Sequence, residues 1–354
     1  MKPLCHTVLA CLFTLALPGN GLAHIASADV QRSGPDQLTI TWSDENPVDL
    51  YAGDQPDFLP STASVVLRES RAGTYLVEHG GQARHYYILV DRRDHDRIEV
   101  AERLIPLAQG SNFRDIGGYA TANGKHVRWG LIYRSGAQPL LTPADVDAVH
   151  GLGVAQLVDL RSDEERLIAP TRINHVPYAA VGYTVNDLMH TPGSTPIRSG
   201  ADLYRNFPAL LAPQLKIIFA HLLHERTPIV YNCSAGQDRT GFATAMILAA
   251  LGVPHDTIIA DYHLSTRFRR PEFEMAPVDP ALVAANPGAQ MFAAYRARPD
   301  WNVPQPLMDK DGQPFLHGAF DAIRDKWGSV DAYLQQEVGV GPAQIAQLRH
   351  DYLQ

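Results

Sequence analysis

A thiol and a guanidinium, on Cys233 and Arg239, lie six positions apart in the segment CSAGQDRTG that ends at Gly241. An apolar run at residues 228–231 precedes this segment, and a helix-forming run that ends at Leu251 follows it. A junction of strand, tight loop and helix directs consecutive backbone N–H groups and the positive end of the helix dipole at one point. The pattern therefore predicts a loop that binds a phosphate dianion.

The loop also carries the groups that phosphate chemistry needs. Its field favours the thiolate form of Cys233, which makes this side chain a competent nucleophile. Arg239 is expected to grip two phosphate oxygens with its planar fork, and the Thr240 hydroxyl to hydrogen-bond the sulfur and assist its departure. The predicted phosphate-binding residues are Ser234, Ala235, Gly236, Gln237, Asp238 and Arg239. The alternative, a structural cysteine beside a solvated arginine, does not explain why all these residue types fall in register.

The composition is that of an ordinary globular protein with room for two domains. The chain has 354 residues, of which 45% are hydrophobic and 19% charged. Its formal net charge of −8 argues against a general nucleic-acid binder, which needs a basic face. Attraction for an anionic substrate is therefore expected to be local to the loop. No cofactor is predicted, and the sequence favours no particular oligomeric state.

The first 23 residues have the three-part order of an export signal. Lys2 supplies the positive start, residues 4–17 an apolar stretch, and residues 21–23 a small-x-small cleavage site that ends at Ala23. The mature chain is expected to begin near residue 24, to be periplasmic or secreted, and to have no transmembrane segment. A buried N-terminal helix is the disfavoured alternative.

The cysteine content agrees with an exported enzyme. Cys5 and Cys11 leave with the signal, so the exported protein keeps only Cys233 and can form no internal disulfide. A lone thiol in an oxidising compartment is open to oxidation. Its retention is therefore better explained by catalysis than by packing.

Two regions with different patterns follow the signal. Residues 24–106 hold short alternating runs separated by turns, and they predict a small β-sandwich of fibronectin or immunoglobulin type. Residues 107–354 alternate strands with helices, and they predict an α/β domain with a mostly parallel sheet flanked by helices. Within this second region, residues 271–314 are rich in Pro and Ala and predict no defined element.

Further candidate site residues lie upstream of the loop. An apolar strand at residues 153–160 delivers Asp159 to its carboxyl end, where ligands of open α/β sheets collect. The loop-rich stretch at residues 178–205 is expected to cover the site as a lid. His221 and His224 share a predicted helix, but no third ligand is near in sequence, so a polar helix face is favoured over a metal site.

Four motifs occur in the second region in a fixed order. They are NFRDIGGY at residues 112–119, YRSG at 133–136, VDLRS at 158–162 and CSAGQDRTG at 233–241. Together they resemble those of the bacterial tyrosine phosphatase family 3, whose exported members act on phosphotyrosine and phosphoinositides. The resemblance implies a cysteine-phosphatase fold from about residue 112 to the C-terminus and leaves the N-terminal β region out.

By this resemblance, Cys233 is the nucleophile and Arg239 the phosphate-binding arginine. Asp159 and Asp238 match positions where the family carries aspartates near the phosphate, and a shared role with Asp159 favoured as general acid is expected. The chain departs from the family pattern at two positions. Asn232 precedes the cysteine where His is usual, and position 237 holds Gln where many members with lipid activity have Lys. Loss of that charge weakens the case for polyphosphorylated inositol headgroups.

Three hypotheses about function remain. The leading one is a phosphomonoesterase that acts on phosphotyrosine proteins through a cysteinyl-phosphate intermediate. The second is a phosphoinositide or inositol-phosphate phosphatase in which Arg267, Arg269 and Arg270 contact the headgroup. The third is a catalytically silent phosphate-binding module whose β region carries the function. It is disfavoured because the nucleophile, the arginine and candidate acids are all present.

Overall fold

The computed structural model describes residues 25–78, 84–189 and 197–354. The predicted export signal at residues 1–23, with Cys5 and Cys11, lies outside these ranges, and so does the middle of the predicted lid, residues 190–196. The described residues form two antiparallel sheets, followed by one mixed sheet with its helices.

The N-terminal region is a β-sandwich. Its described strands are β1 (Ser27–Gly34), β2 (Gln37–Ser43), β3 (Val48–Gly53), β4 (Ser64–Ser70), β5 (Thr74–Glu78), β6 (Tyr86–Asp91) and β7 (Arg97–Ala101). They form one antiparallel sheet in the order β1-β2-β5 and a second in the order β4-β3-β6-β7. Alternate residues Leu38, Ile40 and Trp42 of β2 are buried and pack in one core with Leu50 and Leu89 of the other sheet. The predicted β-sandwich is confirmed, whereas its fibronectin or immunoglobulin type stays a prediction.

The second region is built on a five-stranded sheet. Its strands are β8 (Arg114–Asp115), β9 (Ile132–Ser135), β10 (Gln156–Asp159), β11 (Tyr178–Ala180) and β12 (Ile229–Asn232). In the order β11-β10-β12-β9-β8, all neighbours are parallel except β8, which runs antiparallel to β9. Every residue of β9 and β12 is buried, as expected for strands covered on both faces. The predicted α/β domain with a mostly parallel sheet is confirmed.

Helices surround this sheet. Those described are α1 (Pro143–Gly151), α2 (Asp163–Ile168), α3 (Val185–Met189), α4 (Gly200–Arg205), α5 (Phe207–Leu210), α6 (Ala212–His224), α7 (Arg239–Leu251), α8 (His255–Phe268), α9 (Pro280–Ala285), α10 (Pro287–Arg296), α11 (His317–Trp327), α12 (Val330–Tyr333) and α13 (Pro342–Tyr352). All residues of α7 except Ala249 are buried, and the helix ends at Gly252 with φ of 86°. This left-handed conformation suits glycine, so the predicted helix end is confirmed.

In residues 25–78, 84–189 and 197–354, no single helix is both long and apolar enough to cross a membrane. The bent pair Gly200–Leu210 and Ala212–His224 reaches the required length and composition only when the two helices are taken together. Much of α6 is buried in the core of the second region, and core helices meet the same criterion.

The segment for which the sequence predicts no defined element is helical in part. Residues 271–314 contain α9 and α10, and each begins with a proline that follows a capping side chain. The caps are Asp279 and Asn286, whose side-chain oxygens accept backbone N–H groups of the first turn. α10 contacts α2, so the segment folds back over the second region. The expectation for this stretch was wrong.

Candidate active site

Cys233 lies at the start of the loop between β12 and α7. The strand ends at Asn232 and the helix begins at Arg239, in the order that the sequence predicts. The cysteine is almost fully buried, with 1% of the residue exposed. Because the loop leads into the amino end of α7, the helix dipole favours negative charge at this point.

The backbone of the loop is held from behind. The amide of Ala137 donates to the carbonyl of Ser234 at 2.9 Å. The Asn112 side-chain amide donates to the next two carbonyls, at 3.2 and 2.8 Å, and Arg134 donates to the second of these at 2.8 Å. In a trans peptide the N–H points away from the C=O. The amides of residues 235–237 are therefore directed away from these anchors, which is the orientation that a phosphate cradle needs.

Gly236 is the position where the loop admits no side chain. Its φ is +67°, and a Cβ placed there would lie 2.4 Å from the backbone nitrogen of Gly136. Only glycine combines this left-handed conformation with such a close approach of two backbones. The YRSG motif thus supplies the surface against which the phosphate loop is formed.

A buried ionic cluster supports these anchors. Arg114 donates to the side-chain oxygen of Asn112, and both Arg114 and Arg134 pair with the Asp261 carboxylate on α8. Burial raises the pKa of Asp261, but the two guanidinium groups outweigh burial and hold this pKa well below its usual range. The carboxylate is therefore ionised and fixes both arginines. Asp261 could not be predicted from the sequence, because nothing near it in sequence signals its partners.

Arg239 is oriented by the Glu165 carboxylate, which was not among the residues predicted from the sequence. Its two terminal nitrogens each lie 2.6 Å from an oxygen of Glu165, and one of them also donates to the Tyr183 hydroxyl at 2.7 Å. Burial raises the pKa of Glu165, but Arg239 and hydrogen bonds from Ser234 and Ser162 outweigh it and lower the pKa to about 2. A bidentate pair of this kind fixes the plane of the guanidinium.

Glu165 joins the loop to α2 in two further ways. Its carboxylate accepts the Ser234 hydroxyl at 2.6 Å and the backbone N–H of Ser162 at 2.9 Å. The second bond completes the capping box of α2, since Ser162 accepts the Glu165 N–H in return. The sequence pattern Ser-x-x-Glu was a visible signal for the cap, although not for the contact with Arg239.

Two polar side chains beside the nucleophile have unsatisfied atoms. The Thr240 hydroxyl is buried and has no hydrogen-bond partner among the described residues, so it is available to the sulfur as the sequence predicts. Asn232 donates to the backbone carbonyl of Cys233 at 3.4 Å, while its own side-chain oxygen lacks a partner in the same ranges. The amide that replaces the usual histidine is thus directed at the backbone.

Asp159 does not face the site. Both of its oxygens are bound by the Arg161 guanidinium, with contacts from 2.6 to 3.1 Å, and one also accepts the Tyr178 hydroxyl at 2.9 Å. The residue is fully buried and is not among those that line the cavity above the loop. Held in this pair, Asp159 is not brought to the cavity, so its role as general acid stays a prediction that the geometry does not favour.

Asp238 lies where a proton donor is needed. It is half-buried at the end of the loop and lines the cavity. One of its oxygens accepts the Tyr204 hydroxyl, and Tyr204 in turn accepts the Tyr262 hydroxyl at 2.7 Å. This chain orients the carboxyl group from α4 and α8, and the other carboxyl oxygen has no hydrogen-bond partner among the described residues.

The cavity above the loop has a polar floor and a mostly apolar front. Its volume is about 310 Å³, and Ser234, Ala235, Gln237, Asp238 and Arg239 contribute to the floor. The front is formed by side chains from α3 and from residues 271–301. They include Leu188, Met275, Met291, Phe292, Tyr295 and Trp301. Among the described residues, the predicted lid at 178–205 contributes Val185 and Leu188 to the cavity, and residues 271–301 contribute the larger number of lining side chains.

Of the three arginines considered as headgroup contacts, only Arg269 lines this cavity. It donates to the Gln237 side chain at 3.2 Å, but it is also paired with Glu274 through contacts of 2.8 to 3.1 Å. Arg270 donates to backbone carbonyls of residues 107 and 108, and Arg267 packs against Phe268. The expected cluster of three headgroup contacts is therefore not assembled.

His221 and His224 are not brought together on a metal. His221 is buried and its ring donates to the Thr227 carbonyl at 2.9 Å, whereas His224 is exposed. Across the described parts of the chain, no group of three or more His, Cys, Asp or Glu side chains has an arrangement that could hold a metal ion. His221 is thus not on a solvated helix face, because its ring is buried and held by a backbone carbonyl of the loop after α6.

The comparisons with known proteins agree with this geometry. A sequence profile of the tyrosine phosphatase family matches residues 105–354, which include the sheet, the loop and the cavity. The chain therefore belongs to the tyrosine phosphatase family, and the resemblance seen in the four motifs is confirmed. The match leaves the β-sandwich outside the family region.

Individual relatives and solved structures are similar to parts of this chain. A Cupriavidus necator protein assigned by name to the tyrosine-protein phosphatases is 32% identical over 256 residues, which cover 69% of this chain and 86% of that protein. The triple specificity protein phosphatase PtpB of Mycobacterium tuberculosis is 27% identical over 71% of this chain and 98% of its own. The solved structure of P. aeruginosa TpbA covers 41% of this chain and 78% of its own, at 16% identity and a TM-score of 0.23.

Proposed function

We propose that this protein is an exported phosphomonoesterase that hydrolyses phosphotyrosine through a cysteinyl-phosphate intermediate. The observation that carries the proposal is the position of the buried thiol of Cys233 at the start of a loop in which the carbonyls of residues 234–236 are held from behind. The amides of this loop and the guanidinium of Arg239, fixed by Glu165, supply donors for the equatorial oxygens of a phosphoryl group. They are in place before substrate binds.

The reaction runs in two displacements. The Cys233 thiolate attacks phosphorus, a sulfur–phosphorus bond forms, and the ester oxygen leaves with the electron pair and a proton from Asp238. A water molecule then attacks the phosphorus, the sulfur–phosphorus bond breaks, and Asp238 takes the proton of the water. The Thr240 hydroxyl stabilises the departing thiolate. Asp238 fills the role of acid and base because it lines the cavity, whereas Asp159 does not.

Phosphotyrosine is the preferred substrate because of the front of the cavity. Aromatic and thioether side chains such as Phe292, Tyr295 and Met291 offer apolar contact to an aryl ring above the loop. A polyphosphorylated inositol ring needs cations around the loop instead. Position 237 is an uncharged Gln, and the adjacent Arg269 is paired with a carboxylate, so the phosphoinositide alternative is disfavoured.

Export is proposed from the sequence of residues 1–23 alone. The apolar stretch, the positive start and the Ala23 cleavage site are those of a signal peptide. Among the described residues Cys233 is the free cysteine, so the exported enzyme would depend on a single thiol. Fractionation of cells that express the full chain, with N-terminal sequencing of the product, tests this proposal. A cytoplasmic protein that retains Met1 would contradict it.

A substrate panel tests the proposed activity. The mature protein is assayed with a phosphotyrosine peptide, a phosphoserine peptide and short-chain phosphoinositides, with phosphate release as the readout. We expect the phosphotyrosine peptide to have the highest kcat/KM, vanadate to inhibit reversibly as a phosphate mimic, and EDTA to have no effect. Preference for the phosphoinositides would select the alternative substrate class. Phosphate binding without turnover of any compound would select the silent binding module.

A further inference from the structure

Arg84 of the β-sandwich region reaches into the second region. The residue lies just before β6, and only 10% of its side chain is exposed. One terminal nitrogen lies 2.8 Å from a carboxylate oxygen of Asp115, and the other donates to the Tyr133 hydroxyl at 3.3 Å. The guanidinium also lies over the Trp129 ring, 5.9 Å from its centroid. An arginine outside the family match thus contacts two residues of the family motifs.

These two contacts fall on the back of the strand pair that anchors the phosphate loop. β8 and β9 pair in a register that sets Arg114 opposite Arg134 and Asp115 opposite Tyr133. Successive side chains of a strand point to opposite faces. On one face the two arginines bind Asp261, and through Arg134 the Gly236 carbonyl of the loop. On the other face, the side chains of Asp115 and Tyr133 bind Arg84.

β8 consists of two residues, so few backbone hydrogen bonds fix its register against β9. Its other edge is joined to residues 103 and 105 by two backbone hydrogen bonds of 2.9 Å, which do not involve β9. The planar guanidinium of Arg84 links the two strands, because one terminal nitrogen contacts the side chain of Asp115 on β8 and the other that of Tyr133 on β9. The Asp115 carboxylate also accepts the backbone N–H groups of Gly117 and Gly130, at 2.7 Å each, and is fully buried. Without Arg84 this charge would lack its ionic partner.

We propose that Arg84 is a positioning residue for the phosphate loop, which makes the β-sandwich a part of the catalytic unit. It acts by holding β8 in register with β9, so that Asn112 and Arg134 present their donors to the loop carbonyls. The inference rests on the proposed function, since the loop matters only if it binds a phosphoryl group. It assigns to the β-sandwich a role in catalysis that does not require a separate binding partner.

The test compares two arginines that cross the same interface. Arg128 pairs with Asp57 of the sandwich at 2.8 Å in a partly exposed contact that reaches neither β8 nor the loop. Arg84→Met and Arg128→Met are made in the mature chain. For each variant, kcat and KM are measured with a phosphotyrosine peptide, the inhibition constant with vanadate, and the rate of alkylation of Cys233 by mass spectrometry. Urea unfolding of each variant defines conditions in which both are fully folded.

A misplaced loop affects the transition state more than the ground state. In Arg84→Met we therefore expect kcat to fall about tenfold or more and vanadate binding to weaken to a similar extent, with a smaller change in KM. The rate at which Cys233 is alkylated should also differ from that of the wild type. Arg128→Met should match the wild type in all of these constants, even if it unfolds at lower urea concentration.

Equal constants for folded Arg84→Met and the wild type, with only stability lost, would overturn the inference. Should Arg84→Met fail to fold, Arg84→Lys decides the question. Lysine keeps the charge next to Asp115 but cannot bind both strands with a planar fork, so we expect kcat and vanadate affinity to fall with stability largely kept. Wild-type constants in that variant would also overturn the inference. Absence of activity in the wild-type chain would instead reject the proposed function.

Discussion

The back and the front of the cavity are built from different interactions. Behind the loop, Arg114 and Arg134 are completely buried and are tied to Asp261 and to backbone carbonyls by directional hydrogen bonds. In front, side chains such as Phe292 and Trp301 make apolar contacts that have no fixed direction. The back can therefore hold hydrogen-bond donors at the positions that a transition state requires. The front can only favour substrates whose shape is complementary to it.

The back wall is therefore expected to control the reaction rate, and the front wall the choice of substrate. Changes behind the phosphate should alter kcat, because donors placed there act on the charge of the transition state. Changes in front should alter KM, because contacts with the ring of the substrate are the same before and during reaction. Substitutions in the two walls should therefore change different kinetic constants.

The largest effect is expected at the nucleophile. Cys233→Ser should lower kcat by a factor on the order of 10⁵ to 10⁶, because the covalent route is lost. Folding and phosphate binding should remain, since the loop amides and Arg239 are unchanged. The measurements are steady-state hydrolysis of a phosphotyrosine peptide and calorimetric titration with phosphate. Appreciable turnover by the serine variant would show that Cys233 is not the nucleophile.

The next effect is expected at Glu165. Glu165→Gln removes the charge that orients Arg239 and should lower kcat by about 10²- to 10³-fold, with a smaller rise in KM. Asp163→Asn is the matched control, since Asp163 lies on the same helix and pairs with Arg166 outside the cavity. The readout is kcat and KM at neutral pH. If the two variants behave alike, the contact between Glu165 and Arg239 does not serve catalysis.

The general acid should be revealed by its dependence on the leaving group. Asp238→Asn should slow hydrolysis of alkyl and tyrosyl phosphates by about 10²- to 10³-fold but affect p-nitrophenyl phosphate much less, since p-nitrophenolate leaves without a proton. Asp159→Asn is expected to destabilise the fold by breaking the buried pair with Arg161, without steepening this dependence. A steep dependence in Asp159→Asn alone would restore Asp159 as the acid.

The smallest effect is expected in the front wall. Trp301→Ala should raise KM for aryl phosphates about three- to tenfold through loss of one aromatic contact and leave kcat unchanged. Val303→Ala is the control, because Val303 is close in sequence but exposed and absent from the cavity lining. Steady-state kinetics with a phosphotyrosine peptide check this prediction. A fall in kcat without a change in KM would remove the distinction between the two walls.

The sequence predicts the parts of the site that are local. The loop from Cys233 to Gly241, the strand before it and the helix after it are contiguous, so their pattern is enough to predict the order of strand, loop and helix. Partners distant in sequence were missed. Glu165 is 74 positions from Arg239, and Asp261 is 127 positions from Arg134, so only folding brings each pair together.

Two other features of the site have physical causes that the sequence pattern does not show. Asp159 lies at the end of a central strand, as expected, but its carboxylate is bound by Arg161 two positions later. Much of the front wall comes from α10, whose apolar residues follow no clear period because the helix is short. The capped proline at the start of α10 was the available signal, and this signal marks a helix start without showing what the helix covers.

The most direct test of the central claim is to trap the phosphoenzyme. The mature chain is mixed with a phosphotyrosine peptide labelled on phosphorus, quenched in acid within the first turnover, digested and mapped by mass spectrometry. The account predicts one labelled peptide, which contains Cys233, and a burst of tyrosyl product equal to the amount of labelled enzyme. Full turnover with no label on Cys233, or with label on another residue, would contradict covalent catalysis by this thiol.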